Sequence, residues 1–391
     1  MHQTALMLAF RILAGVAGLV VVYLTLGASV RTVILPRGIP SRLARVVFLT
    51  VRGVFQLRAG PSASYERQDR VMALYGPMSL LVLLGTWVTL VLAGYTAMFW
   101  ALEDGSWREA FFNSGSSVLT LGFAHPGDLP GVTLAFTEAG IGLTLLAMLI
   151  TYLPSIYQAF SRREAAVTAL EVRAGTPPTA VEMIERFWIL GRVDKLGEVW
   201  TRWEEWFVDI EESHTSFPAL VFFRSPQPDH SWVTAAGAVL DGASLVVSTV
   251  DIPRDVQGEI CIRAGYIALR RVADFFGIPY EPDPGRGDPI SISREEYDQV
   301  VERLASTGVP IKPDRDEAWL DFAGWRVNYD AVLLALAALT IAPYARGPRT
   351  VRSERCRPVR SGSSAAAGRR RVIGAGPHRP GPSAAGLRSP T

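Results

Sequence analysis

From Ser116 to Ala124 the chain reads SSVLTLGFA, set between two long apolar runs. The stretch is too short and too polar to cross a bilayer, whose hydrocarbon core of roughly 30 Å takes about 20 apolar residues of helix. Ahead of it, Trp107 to Leu119 is predicted as a helix of a few turns, opened by a turn and cap at Asp104-Gly105-Ser106. A helix that enters hydrocarbon and stops leaves its last carbonyls, and the irregular chain after them, without partners. Such main chain is tolerated at that depth only where protein shields it or where it lines a water-filled passage. The stretch therefore predicts a re-entrant pore helix followed by a loop that lines an aqueous path.

The flanking runs fit that expectation. Ala5 to Val30 carries a single charge, Arg11, while Met72 to Leu102 and Val132 to Tyr157 are also long enough to span, so three transmembrane helices are predicted. Between the first two lies a basic stretch, with Arg31, Arg37, Arg42, Arg45, Arg52, Arg58, Arg67 and Arg70 against Glu66 and Asp69. Short basic loops of this kind stay cytoplasmic. That argues against cleavage of the first run as a signal peptide at the small residues of Leu26 to Val30. Glu103, Asp104, Glu109 and Asp128 outweigh Arg108 between the second and third spans, and Arg162 and Arg163 follow the third. The expected topology in a bacterial inner membrane puts the N-terminus outside and the C-terminal domain in the cytoplasm.

The predicted organisation is an N-terminal transmembrane helix over 1–36, a basic linker over 37–71, a pore domain over 72–160, a mainly helical cytosolic domain over 161–345 and an Arg-rich tail over 346–391. Within the linker, Ser41 to Arg58 spaces its apolar residues as an amphipathic helix flanked by Arg. It suits either the inner membrane surface, with anionic lipid as partner, or a face of the soluble domain. In the soluble domain, helices are expected over Val181 to Ile210, Trp232 to Thr249, Gly258 to Phe276, Arg294 to Ser306 and Asn328 to Ile341, with Ser293 and Glu296 forming a capping box. Trp188, Trp200, Trp203 and Trp206 are candidates either for gathering subunits or for plain core. A strand is possible at Ala219 to Phe223, and Ala331 to Ala342 is short for a span and closes the core instead. The tail has eleven Arg, no Lys and one acidic residue, Glu354, a charge of +10 against +2 for the whole chain, and its Gly, Pro, Ser and Ala cannot build a core.

No enzyme, metal site, cofactor or nucleic-acid partner is expected. Cys261 and Cys356 are far apart, no Gly-x-Gly phosphate fingerprint follows a strand-like run, and no Ser-His-Asp grouping is readable. His214 and His230, with Asp229 or Asp241, are conceivable ligands, but surface and capping roles are commoner for such residues.

Trp107 to Ala124 with its flanking spans resembles the bacterial pore-loop potassium channels that have two core helices per subunit. Their filter motif is TVGYG. Matched to it, Thr120 takes the inner Thr position, Leu121 that of Val, Gly122 the first Gly, Phe123 that of Tyr, and Ala124 the second Gly. The resemblance covers roughly residues 72–160 and implies a filter whose successive backbone carbonyls replace the hydration shell of a cation, K+, shared by a homotetramer around an axis. Two residues depart from it. Ala124 lacks the freedom of Gly, and His125 stands where the family often has Asp, with Asp128 the nearest carboxylate. Strict potassium selectivity is thereby put in question. Gly140, Gly142 and Pro154 are hinge candidates on the inner helix, the glycines serving equally for close packing. Glu138, and Asp128 before it, are candidates for vestibule or filter support. The sequence thus reads as a tetrameric cation channel, with a membrane-anchored interaction or sensor protein carrying a vestigial pore loop as the rival.

Overall fold

Hydropathy fixes the first layer of the architecture. The computed structural model describes residues 2–33, 42–59, 70–103, 105–225, 227 and 230–342. Among them the secondary structure is helical apart from one isolated antiparallel bridge between Val250 and Ile311. Helices α1 (His2–Val33), α3 (Tyr75–Leu102) and α5 (Leu129–Ala174) are long and apolar enough to cross a membrane. Between them run α2 (Arg42–Ala59) and the short α4 (Trp107–Val118).

Helices α1 and α3 lie side by side in close contact. A Cβ on Gly18 would sit 2.3 Å from the carbonyl oxygen of Gly94, so only glycine permits this approach. Small residues at such crossings let helices gain dispersion contact where no hydrophobic force separates protein from lipid. Arg11 is tied at the Leu102 end of α3, where its guanidinium donates to the Glu103 carbonyl at 3.1 Å and lies 5.4 Å from the Trp100 ring.

Helix α5 is 46 residues long, about 69 Å at the usual rise. It continues through Pro154 and past residue 160 because nothing between Ser155 and Ala174 breaks it, and it ends at Gly175, whose φ is 81°. Its lower part is anchored in a bundle of α6 (Ala180–Ile189), α7 (Leu196–Ser216), α8 (Trp232–Ser248), α9 (Val256–Phe276), α10 (Arg294–Ser306), α11 (Arg315–Arg326) and α12 (Asp330–Thr340). Helix α8 is the centre of that bundle, with Ala235, Ala236, Val239, Leu240 and Ala243 wholly buried. Trp200, Trp203 and Trp206 are core, packed with Phe207 and Ile210.

Three features differ from the sequence expectations. Ala219 to Phe223 is no strand: Pro218–Phe222 forms a 3-10 turn whose residues Ala219, Leu220 and Val221 are buried. Arg163 is not an interfacial charge. It is buried, paired with Glu164 at 2.8 Å, and donates to the carbonyls of Leu220 at 2.9 Å and Phe223 at 2.6 Å, which ties α5 to that turn. Helix α11 was not anticipated, although Asp314 caps it by accepting from the Asp316 and Glu317 amides. Asp104, residues 34–41 and 60–69, and the tail lie outside the described residues.

Candidate functional site

Helix α4 begins as its sequence dictates, with a full capping box: the Ser106 hydroxyl accepts from the Glu109 amide at 3.3 Å, and the Glu109 carboxylate accepts from the Ser106 amide at 2.8 Å. Ala110, Ser114 and Val118 form its buried face, turned toward α3 and α5. The Ser114 hydroxyl lies 3.0 Å from the carbonyl of Leu92. Leu92 precedes Leu102 by ten residues, so α4 reaches about 15 Å along α3 from that end.

The same hydroxyl lies 2.6 Å from Oε1 of Glu138, which is fully buried on α5 behind α4. Glu138 Oε2 has no partner among the described residues. Asp128 has a different role, capping α5 by accepting from the Gly131 amide at 3.1 Å. At the Leu102 end of α3, burial raises the Glu103 carboxyl above its ordinary range despite the bond donated to it by Asn113 at 3.0 Å. The two glycines of α5 part company. A Cβ at Gly142 would lie 2.3 Å from the Val118 carbonyl oxygen, so the end of α4 rests directly on this residue, whereas Gly140 is exposed with open space around it.

Past Val118 the main chain turns by a Schellman closure. The Thr120 amide donates to Ser117 O at 3.0 Å and the Leu121 amide to Ser116 O at 2.8 Å. Thr120 occupies the left-handed position with φ 54°, followed by Gly122 at φ 72°. A β-branched residue in that region is a genuine backbone outlier. Strain therefore falls on Thr120 and not on Ala124, the position at which the missing glycine was expected to matter. The Ala124 amide in turn donates to the Ser116 hydroxyl at 3.1 Å.

The result is an asymmetric loop. Amides of Leu119, Thr120, Leu121 and Ala124 are bonded back into α4, yet among the described residues none of the carbonyls from Leu119 to Ala124 accepts a hydrogen bond. Side chains of Leu119, Leu121 and Phe123 are more than half exposed, and a Cβ added at Gly122 would meet nothing within 4 Å. Phe123 leans back on Phe112 of α4 with ring centroids 6.2 Å apart.

The chain matches no protein-family model, no curated protein and no solved structure.

One further set of residues was not singled out in the sequence. Thr133, Thr137, Gly140, Thr144, Ala147, Thr151 and Ser155 are all exposed on α5. They recur every three or four residues and fall within roughly 80° of arc at 3.6 residues per turn. Each hydroxyl donates back to its own helix, as Thr144 does to Gly140 O at 2.7 Å and Thr151 to Ala147 O at 3.1 Å, leaving the oxygen lone pairs outward. The apolar Phe136, Leu143, Leu146, Ile150 and Leu153 occupy a separate exposed strip. The spacing of hydroxyls and small residues was legible in the sequence, masked only by the larger apolar residues between them.

Residues weighed as metal ligands are not brought together. His214 is buried, with Arg163 Nη1 at 3.3 Å from its Nε2, while His230 pairs with Glu171 and Asp241 pairs with Arg326. Asp229 lies outside the described residues. Burial and the adjacent Arg163 guanidinium hold the His214 imidazole well below its ordinary pKa. Pro154 lies inside α5 without ending it.

Proposed function

We propose that this chain is one subunit of a tetrameric, potassium-conducting cation channel in which α4 is a re-entrant pore helix and Thr120 to Ala124 line the ion path. The observation that carries this reading is the loop's asymmetry: every amide from Leu119 to Ala124 except that of Phe123 bonds back into α4, while among the described residues none of its carbonyls accepts a hydrogen bond. Buried main-chain carbonyls without partners are costly in an apolar medium, so at bilayer depth they require water or cations. A loop with free carbonyls and retracted amides is suited to cations and not to anions. The C-terminal end of α4, with its partial negative charge, points the same way.

Two further observations support it. The exposed hydroxyl strip on α5 gives a wettable surface running along the helix from the loop, as the lining of an inner vestibule requires. Glu138, hydrogen-bonded to Ser114, ties α4 to α5. A single copy surrounds nothing, so several chains around one axis are needed, and pore loops of this length call for about four. The rival reading, a membrane-anchored interaction or sensor protein, draws on the exposed Leu119, Leu121 and Phe123, which would then be a docking patch.

Purified protein in liposomes separates the two. A conducting pore passes K+ or Na+ down a gradient, and Gly122→Asp, which adds a side chain and a charge where the backbone needs a left-handed glycine, abolishes the flux. Vesicles no leakier than empty ones, or flux indifferent to that substitution, would remove the proposal.

A further inference from the structure

A cavity of about 190 Å³ lies where the ends of α1, α2 and α3 meet the helical bundle. Its floor is aromatic. Phe222 sits edge-on to Tyr75, centroids 5.1 Å apart, and also contacts Phe48 and Phe276, while the Tyr75 hydroxyl donates to the Phe48 carbonyl at 3.0 Å. Leu80 of α3, Tyr152 of α5 and Leu339 of α12 complete an apolar lining. Its basic residues are Arg31 from the last turn of α1, and Arg45 and Arg52 one above the other on α2. No carboxylate lines the cavity, and none of these three guanidinium groups has an ion-pair partner among the described residues. The outward side of α2 carries exposed Val46, Val54 and Leu57. This is the pattern of a helix whose apolar face meets acyl chains and whose basic side meets headgroups.

We infer that this cavity is a binding site for an anionic membrane lipid: the phosphate is held by Arg31, Arg45 and Arg52, and part of one acyl chain lies over Phe48, Tyr75 and Phe222. Charge and shape select the occupant. A soluble anion would leave the aromatic floor open to water, and an uncharged lipid would leave three guanidinium groups unmatched beside apolar surface. A phospholipid with net negative charge satisfies both, and guanidinium is well suited to bidentate phosphate contact. An engineered apolar cavity of about 150 Å³ takes up a benzene, so this one has room for a segment of chain, with the remainder in the bilayer. The bound lipid would touch α1, α2, α3, α5 and the bundle at once, which makes it a joint between the spanning helices and the helical domain. The inference rests on placing α1, α3 and α5 in a bilayer and is independent of whether the loop at Thr120 conducts.

The test is made on the full chain reconstituted in mixed phosphatidylcholine and phosphatidylglycerol vesicles, extracted gently, and weighed with its retained lipid by native mass spectrometry. Phosphatidylglycerol should be retained over phosphatidylcholine by roughly fivefold for each guanidinium that engages it. Arg45→Gln, an exposed position whose loss spares the core, should lower that preference, and Arg31→Gln with Arg52→Gln should lower it further. Leu49→Trp, which intrudes into the cavity, should reduce retention of both lipids without changing the preference between them. Equal retention of the two lipids by the unaltered protein would overturn the inference, as would an unchanged preference in the Arg variants. Displacement of the retained lipid by glycerol phosphate at matched concentration would also overturn it, because the occupant would then be the soluble anion.

Discussion

Arg326 and Glu138 are both buried ionisable side chains, yet their surroundings are built on opposite plans. Arg326 pairs with Asp241 and, at 2.9 Å, with Asp330. Tyr329 donates to Asp241 at 2.9 Å and Ser291 donates to Asp330 at 2.6 Å, so the guanidinium of α11 and the carboxylates of α8 and α12 are all partnered within one chain. Around Glu138 one carboxylate oxygen has no partner among the described residues, the carbonyls from Leu119 to Ala124 accept nothing, and the hydroxyls of α5 face outward. Native interiors rarely leave polar groups in this state. The Arg326 network is completed by the helical domain's own residues, although Trp200 Nε1 and His230 Nδ1 in that domain have no partner among the described residues. The α4–α5 region keeps polar groups without a partner among the described residues, as the proposed pore would require.

The sharpest break of that contrast is Arg326→Ala, which leaves Asp241 and Asp330 buried without a cation. Loss of one partner of a buried pair costs about 3–5 kcal/mol. Chemical unfolding followed by tryptophan fluorescence should show a loss of that size in the helical domain, and a shift well under 1 kcal/mol would mean the network is solvated. Next in size is Gly142→Ala, which drives a methyl into the Val118 carbonyl and should displace α4 at an overpacking cost of about 1–3 kcal/mol. Liposome flux should fall steeply. Gly140→Ala, with open space around it, should leave flux near that of the unaltered protein; equal losses at both positions would favour a bending role for the pair over a packing role for one.

Ser114→Ala removes the single bond made to Glu138. Leaving that carboxyl unpartnered costs about 1–3 kcal/mol, and it should lower the thermal midpoint of the assembled protein while leaving the unfolding of the helical domain where it was. The smallest effect concerns pH. The folded His214 imidazole titrates below its unfolded value, so the unfolded chain takes up the extra proton and stability falls as pH drops below about 6.5, by at most about 1.4 kcal/mol per unit. His214→Gln should flatten that slope. A slope that survives the substitution would assign it to other groups.

Much of this arrangement was legible in the chain itself. The spanning helices follow from runs in which Arg11 is the exceptional charge, and α4 follows from the Ser106 and Glu109 cap and its shortness. Other parts depend on what meets in space. Nothing local distinguishes Gly142 from Gly140, since only the Val118 carbonyl separates their roles. Arg163 looks like a loop-side charge next to Arg162, and only the turn at Pro218–Phe222 makes it a buried anchor. Helix α11 was overlooked because Pro310 and Pro313 lie just before it, even though Asp314 marks its start and half of its residues are apolar. The left-handed backbone at Thr120 has no signal in a β-branched residue, which disfavours that conformation.

The number of chains that close around the loop is the most direct measure of the central claim. Native mass spectrometry of the protein released from lipid nanodiscs should give four copies, and a cysteine placed at Leu121 should crosslink between copies within that assembly. A stable monomer in the bilayer, with Leu121→Cys fully labelled by aqueous maleimide and never crosslinked, would contradict it.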